Sequence, residues 1–278
     1  MDNPNTNLAS AQDKPYRHIL SLSGGKDSTA LAIYMKGRIP EMEYMFCDTG
    51  EELAETYAYL DKLEAVLGKE IKRLNPDRPF THYLKLYRQV LPDPQTRWCT
   101  RMLKIKPFER EVGDDRVFMY VGIRADEPHR KGYIVTRKSN IIPKYPFIDD
   151  NIRLADVNRI LKESGIGLPD YYSWRSRSGC YFCFFQQRIE WVGLLENHPK
   201  LYWKAADFEK VDPSTGEHFT WVEGESLKEL AKPERVAEIK LQNKSKCTDA
   251  GQRLKDALLK DVLGKEEADR EGCMICHL

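Results

Sequence analysis

Residues 17–29 read RHILSLSGGKDST: a short apolar run, two adjacent glycines, then polar residues opening a second apolar stretch. A buried strand that breaks at glycine and turns straight into a helix leaves backbone N–H groups pointing outward. The helix dipole adds positive potential at the same place, so the turn is suited to an anion, phosphate above all. Two familiar phosphate loops are excluded by the spelling. A Walker loop needs G-x-x-x-x-G-K-[ST], but Lys26 is followed by Asp27 and Leu20 stands where the first glycine belongs. The dinucleotide pattern G-x-G-x-x-G is absent as well. Asp27 is the informative departure, an acidic residue that would hold Mg²⁺ beside phosphates or, with Ser28 and Thr29, cap a helix over ALAIYMK that stops at Gly37.

The rest of the first half repeats the alternation. MEYMFC (42–47), EIKRL (70–74) and VFMYVGI (117–123) read as strands. Between the first two, EELAETYAYLDKLEAVLG places Leu53, Tyr57, Leu60 and Leu67 on one helical face, with Gly68 as the stop. Strands alternating with helices imply an α/β fold: an open parallel sheet with helices on both faces. After about residue 150 the pattern turns helical and aromatic. We therefore expect a polar tail over 1–16, a nucleotide-binding domain over 17–174, and a smaller helical, cysteine-bearing module over 175–278. Trp191, Trp203, Phe208 and Trp221 are expected in the core of that module.

With 278 residues, one large domain with an appendage is the natural size class. The formal charge of +1 supplies no global attraction to nucleic acid or membrane. No apolar run reaches transmembrane length, and the first residues lack a signal-peptide core, so a cytoplasmic protein with no membrane partner is expected. In a reducing compartment the seven cysteines are expected to bind metal or do chemistry rather than form disulfides. Two pairs, Cys180/Cys183 and Cys273/Cys276, have C-x-x-C spacing. Such a pair fits half a zinc site, a redox pair or part of an iron–sulfur site, and the arginines before Cys180 favour thiolate in each case.

SGGKDST resembles the pyrophosphate loop (PP-loop) of the ATP pyrophosphatase and adenine-nucleotide α-hydrolase superfamily, a HUP-like fold. FCDTGEELAETYAYL and VGIRADEPHR are similar to the segments following that loop in phosphoadenosine phosphosulfate (PAPS) reductases, and the likeness runs over about 17–190. It implies an adenine nucleotide, with Ser23, Gly24, Gly25, Lys26, Asp27 and Ser28 around its phosphates and Asp48 and Thr49 nearby. Arg124 and Arg130 would neutralise phosphate or developing charge. Lys26, Asp27 and Arg124 would be the catalytic groups of the loop.

The same resemblance implies that Cys99, Cys180 and Cys183 ligate a [4Fe–4S] cluster. Cluster-bearing reductases carry two adjacent cysteines at the first position, whereas Cys99 is followed by Thr100. One iron would then stay open, as in cluster-dependent tRNA thiolation enzymes. Alternatively Cys247, Cys273 or Cys276 would supply a fourth thiolate, as in Dnd-type DNA phosphorothioation enzymes. The end, EGCMICHL, loosely echoes the reductases' Glu-Cys-Gly-x-His tail, which would make Cys276 a catalytic thiolate.

Two enzymes are therefore expected in order. The first is an ATP-dependent sulfurtransferase that adenylates and thiolates a nucleic-acid substrate, with Mg²⁺ and a sulfur-donor protein. The second is a reductase taking PAPS or its unphosphorylated analogue APS and releasing sulfite, with a thiol-reductant protein. A nucleotide-sensing binding module is the reading from another class. The basic stretch 97–144, with Trp98, Phe108 and Tyr133 interleaved, would stack on bases or line a pocket for a charged sulfonucleotide.

Overall fold

The computed structural model describes residues 15–127, 130, 139–211 and 218–244. Cys247, Cys273, Cys276 and Tyr133 lie outside the described residues.

The first strand, β1 (Arg17–Leu22), leads into α1 (Lys26–Met35), followed by β2 (Glu43–Cys47), α2 (Ala54–Leu67) and β3 (Ile71–Leu74). Next come α3 (Phe80–Leu86), a single turn α4 (Trp98–Thr100), a π-helical turn over Arg101–Ile105 and α5 (Lys106–Val112). Then β4 (Val117–Tyr120) and β5 (Ile141–Lys144) are followed by the turn α6 (Pro146–Asp149) and by α7 (Leu154–Glu163). The remainder is α8 (Arg188–Asn197), α9 (Pro199–Ala206), the short pair β6 (Lys210–Val211) and β7 (His218–Phe219), and α10 (Leu227–Leu230). Residues 233–244 are also helical, opening at Pro233, where the missing N–H costs nothing.

Five strands form one parallel sheet in the order β3-β2-β1-β4-β5. Central β1 is apolar on both sides because each side is covered. Leu20 and Leu22 join Leu31, Leu60 and Leu63 on one face, whereas Ile19 joins Phe108, Val112 and Met119 on the other. Helices on both faces are thus present, as the alternation implied. α7 packs on α1 on the first of these faces. A third core joins Phe80, Trp98 and Leu103 to Tyr181, Trp191 and Trp221, binding the later helices to the loops that follow β3. Among the described residues no helix is long and apolar enough to cross a membrane.

Three local expectations are revised. α1 begins at Lys26 with Gly25 as N-cap and no side-chain cap bond, so Asp27, Ser28 and Thr29 lie inside the helix rather than before it. Burial of Ala30, Leu31 and Ala32 holds the helix instead. On α2, Tyr59 and Leu63 are buried whereas Tyr57 is half-buried at the face's margin. β5 is a strand that the pattern did not suggest. Its Pro143 removes a ladder donor, which is tolerated at a sheet edge.

The strand order reverses direction between β1 and β4. In open parallel sheets that switch point leaves a crevice at the strands' C-terminal ends, where ligands bind. Here the crevice lies between residues 23–25 after β1 and residues 121–124 after β4.

Candidate functional site

The loop after β1 is held by its own hydroxyls. The Ser23 amide donates to Ser28 Oγ at 3.1 Å, the two serine oxygens lie 3.1 Å apart, and Ser28 Oγ donates to the Gly25 carbonyl at 3.3 Å. Lys26 Nζ meets Asp27 Oδ2 at 2.7 Å, and Arg124 Nη1 meets Asp27 Oδ1 at 2.8 Å. A largely buried carboxylate thus sits between two cations at the switch point. Burial works against the Arg124 charge, but Asp27, Glu127 and Asp126 together outweigh it, and the guanidinium pKa lies above its ordinary value. Arg124 Nε also meets Asp126 at 2.8 Å, and Arg130 Nη1 meets Glu127 Oε1 at 2.9 Å. Lys26, Arg124 and Arg130 therefore stand with Asp27, Asp126 and Glu127 in one network.

Asp48 and Thr49, at the end of β2, do different things. Asp48 Oδ1 accepts from the Gly50 amide at 2.9 Å and from the Tyr57 hydroxyl at 2.7 Å, shaping the turn. Thr49 Oγ1 donates to Glu52 Oε1 at 2.9 Å and lies 3.2 Å from Cys180 Sγ. Thr49 therefore faces the cysteines. Burial pushes the Glu52 carboxyl above the usual range, and its second oxygen has no hydrogen-bond partner among the described residues.

Cys99, Cys180 and Cys183 line one cavity together with Thr49, Thr100 and Lys104. Cys99 thus meets the Cys180/Cys183 pair from about eighty residues earlier in the chain, with Phe182, Phe184 and Phe185 lining the same cavity. The C-x-x-C is a turn in which the Cys183 amide donates to the Cys180 carbonyl at 3.0 Å. Arg175, buried to 2% exposure, clamps it by donating to the Gly179 carbonyl at 2.9 Å and the Cys180 carbonyl at 2.8 Å. Burial, with Glu52 adding to it, pushes the free Cys180 thiol well above its ordinary pKa, opposed by Lys104. Cys47 is a separate thiol, buried under the sheet and bonded to the Lys104 carbonyl at 3.5 Å.

No group of three His, Cys, Asp or Glu residues among the described residues is placed to hold a single metal ion. A multi-iron cluster spreads its thiolates over several metal atoms, so three cysteines around one apolar cavity fit that group in donor chemistry. Mg²⁺ fits less directly, because both Asp27 oxygens already meet cations.

Two aromatic expectations are corrected. Trp98 is 3% exposed and stacks between Phe80 and Tyr87, while Phe108 is fully buried, so neither is open to a base. Trp191, Trp221 and half-buried Phe208 pack in the core as expected, but Trp203 is 45% exposed.

The sequence reading missed the segment lying against the loop. The Tyr171 hydroxyl donates to the Gly24 carbonyl at 2.7 Å, and the Lys26 amide donates to the Tyr172 hydroxyl at 3.2 Å. Ser178 Oγ donates to Ser23 Oγ at 3.2 Å. The available signal was YYSWRSRSGC, hydroxyl and basic residues running into the first cysteine of the pair.

Residues 17–183 match the family described as "Phosphoadenosine phosphosulfate reductase domain". An uncharacterised protein of Methanocaldococcus jannaschii is 28% identical over 250 residues, 84% of this chain and 57% of that protein. A phosphoadenosine 5'-phosphosulfate reductase of Thiocapsa roseopersicina is 28% identical over 142 residues, covering 49% of this chain and 59% of its own. A phosphate complex of phosphoadenylyl-sulfate reductase from Candida auris aligns with a TM-score of 0.47 and 16% identity, over 62% of this chain and 84% of that one. The chain spans about two fifths to three fifths of the length of the curated relatives it matches.

Proposed function

Because the chain belongs to the phosphoadenosine phosphosulfate reductase domain family, within the PP-loop superfamily, we propose that it joins an adenine nucleotide to sulfur chemistry at its cysteines. The observation that carries this reading is the adjacency of the two halves. The loop at residues 23–28 and the Cys99/Cys180/Cys183 cavity are connected through Ser178, which bonds Ser23 and lies two residues before Cys180.

The nucleotide would be ATP, with its phosphates along residues 23–28. The α1 amides and Lys26 would neutralise them, and Arg124 would shift its pairing from Asp27 toward the α-phosphate as charge develops there. An acceptor oxygen would attack the α-phosphorus, the bond to the bridging β oxygen would break, and pyrophosphate would leave. A sulfur nucleophile would then displace AMP. Asp27 holds the two cations in place before the nucleotide arrives, and Mg²⁺ would reach the phosphates with Asp27 only after one of those pairings opens. Cys99, Cys180 and Cys183 would hold a [4Fe–4S] cluster, which would supply sulfur chemistry and one iron without a protein cysteine. Arg175 and Thr49 keep the Cys180 turn in register. The acceptor would be a nucleic acid, met by Lys104 at the cavity and by the exposed Arg101 that follows Thr100. A sulfur-donor protein would complete the cycle.

A second reading, sulfite release from PAPS or APS with a thiol-reductant protein, is favoured by the name of the Thiocapsa roseopersicina relative. In that reading Cys276 would attack the sulfur of the sulfonucleotide.

Product analysis on protein purified without oxygen separates the two. Pyrophosphate and AMP from ATP, dependent on added nucleic acid, support the first. Sulfite from PAPS or APS, lost in Cys276→Ser, would replace it with the second. ADP and inorganic phosphate as the products from ATP would contradict the first, and ATP bound without turnover together with no sulfite from PAPS or APS would contradict both.

A further inference from the structure

The phosphate loop is not completed by its own half of the chain. Three hydroxyls from the segment that carries the cysteines reach it: Tyr171, on the Gly24 carbonyl, Tyr172, over the first amide of α1, and Ser178, beside Ser23. Ser178 is 7% exposed, so its hydroxyl is committed to the loop rather than to water. The approach is close enough to restrict residue 25. A Cβ there would lie 2.7 Å from Ser178 Oγ and 3.2 Å from the Tyr172 hydroxyl.

We infer that Tyr172 and Ser178 are phosphate-contacting residues of the nucleotide site, so that phosphate occupancy braces the cysteine-bearing turn. This rests on the nucleotide reading above. The Tyr172 oxygen accepts from the Lys26 amide, so its own O–H is left to donate to a phosphate at the helix N-terminus. Ser178 Oγ now donates to a serine oxygen and can turn that proton to a phosphate oxygen, exchanging a neutral hydrogen bond for a charge-assisted one.

The connection onward is short and stiff. Ser178 is two residues from Cys180, and between them Arg175 binds the Gly179 and Cys180 carbonyls. Lys26 Nζ also stands 5.8 Å from the Tyr172 ring centroid, so a phosphate that draws Lys26 acts on Tyr172 as well. A ligand on the loop therefore touches the same ten-residue span that positions two of the three thiols.

The test uses full-length protein purified without oxygen, with Ser178→Ala and Tyr172→Phe, each removing one oxygen atom. ATP affinity is measured by titration calorimetry, and hydrogen exchange over residues 171–183 is followed with and without ATP. Thermal midpoints without nucleotide report on packing. We expect each variant to lose about tenfold in ATP affinity, the range for a hydrogen bond to a charged group, with midpoints close to wild type. ATP should slow exchange over 171–183 in wild type and have little effect there in either variant. Wild-type ATP affinity in both variants, or an unchanged ATP effect on exchange, would overturn the inference while leaving the nucleotide reading intact. Affinity lost in proportion to a fallen midpoint would also overturn it, assigning the hydroxyls to packing. No binding of ATP, PAPS or APS by wild type would remove the nucleotide reading and this inference together.

Discussion

Arg124 Nη1 lies 2.8 Å from Asp27 Oδ1, joining the end of β4 to the first turn of α1 across the switch point of the sheet. The two side chains are 11% and 10% exposed, and Lys26 closes the other carboxylate oxygen. A carboxylate in the first turn of a helix is favourable by itself, but here it also fixes two cations in place before any ligand arrives.

Removing one member weakens the hold on the other. Arg124→Ala takes the guanidinium from Asp27 Oδ1 and is expected to cost about 3 kcal/mol in urea unfolding, with ATP affinity falling more than tenfold. Arg124→Lys should recover part of the stability, since it restores charge without the guanidinium fork. An Arg124→Ala midpoint equal to wild type would remove the pair from the account.

The approach of Ser178 to Gly25 makes residue 25 sensitive to a single methyl group. Gly25→Ala is expected to destabilise by about 1–3 kcal/mol through overpacking. Its larger effect should be on ATP binding, because the hydroxyl it displaces belongs to the segment over the loop. Equal ATP affinity in Gly25→Ala and wild type would show that the crowding is relieved elsewhere.

Cys47 should be chemically silent. Burial pushes its thiol up to about 12, opposed only in part by Lys104. At pH 8 that leaves roughly one thiolate in ten thousand. Iodoacetamide followed by peptide mapping should find Cys47 unmodified in the folded protein and modified in urea. Labelling of Cys47 in the folded state at the rate of an exposed thiol contradicts its burial.

Arg17 and Glu43 tie the starts of β1 and β2 through two bonds of 2.8 and 2.7 Å. The Arg17 hydrogen bond holds the Glu43 carboxyl below its ordinary pKa. A depressed folded-state carboxyl stabilises above the unfolded pKa and loses that contribution as pH falls through the folded value. Both groups are partly exposed, so about 0.5–1 kcal/mol is at stake. Arg17→Gln should lower the unfolding midpoint at pH 7 and converge with wild type at pH 2; a constant difference across that range would contradict the linkage.

The first crossover was readable because its signals are local. The β1 run, the double glycine and the stop at Gly68 each declare themselves within a few residues, and their alternation implied the layered sheet. What escaped was contact across distance. Tyr172 and Ser178 meet the loop from 146 and 155 residues away, and no periodicity encodes that. Thr49 was expected near the nucleotide from its place after β2, and its hydroxyl meets Glu52 and Cys180, a contact across 131 residues. Trp98 illustrates the opposite error. Its arginine neighbours suggested a surface for bases, whereas Phe80 and Tyr87 enclose it.

The most direct test of one joined nucleotide and cysteine site is metal analysis. Iron, zinc and acid-labile sulfide would be measured on protein purified without oxygen, beside Cys99→Ala and Cys183→Ala. About four irons and four sulfides per chain, lost in both variants, is the expected result. One zinc with no iron would contradict it, reduce the cysteines to a structural clamp, and leave the phosphate loop as the chain's chemistry.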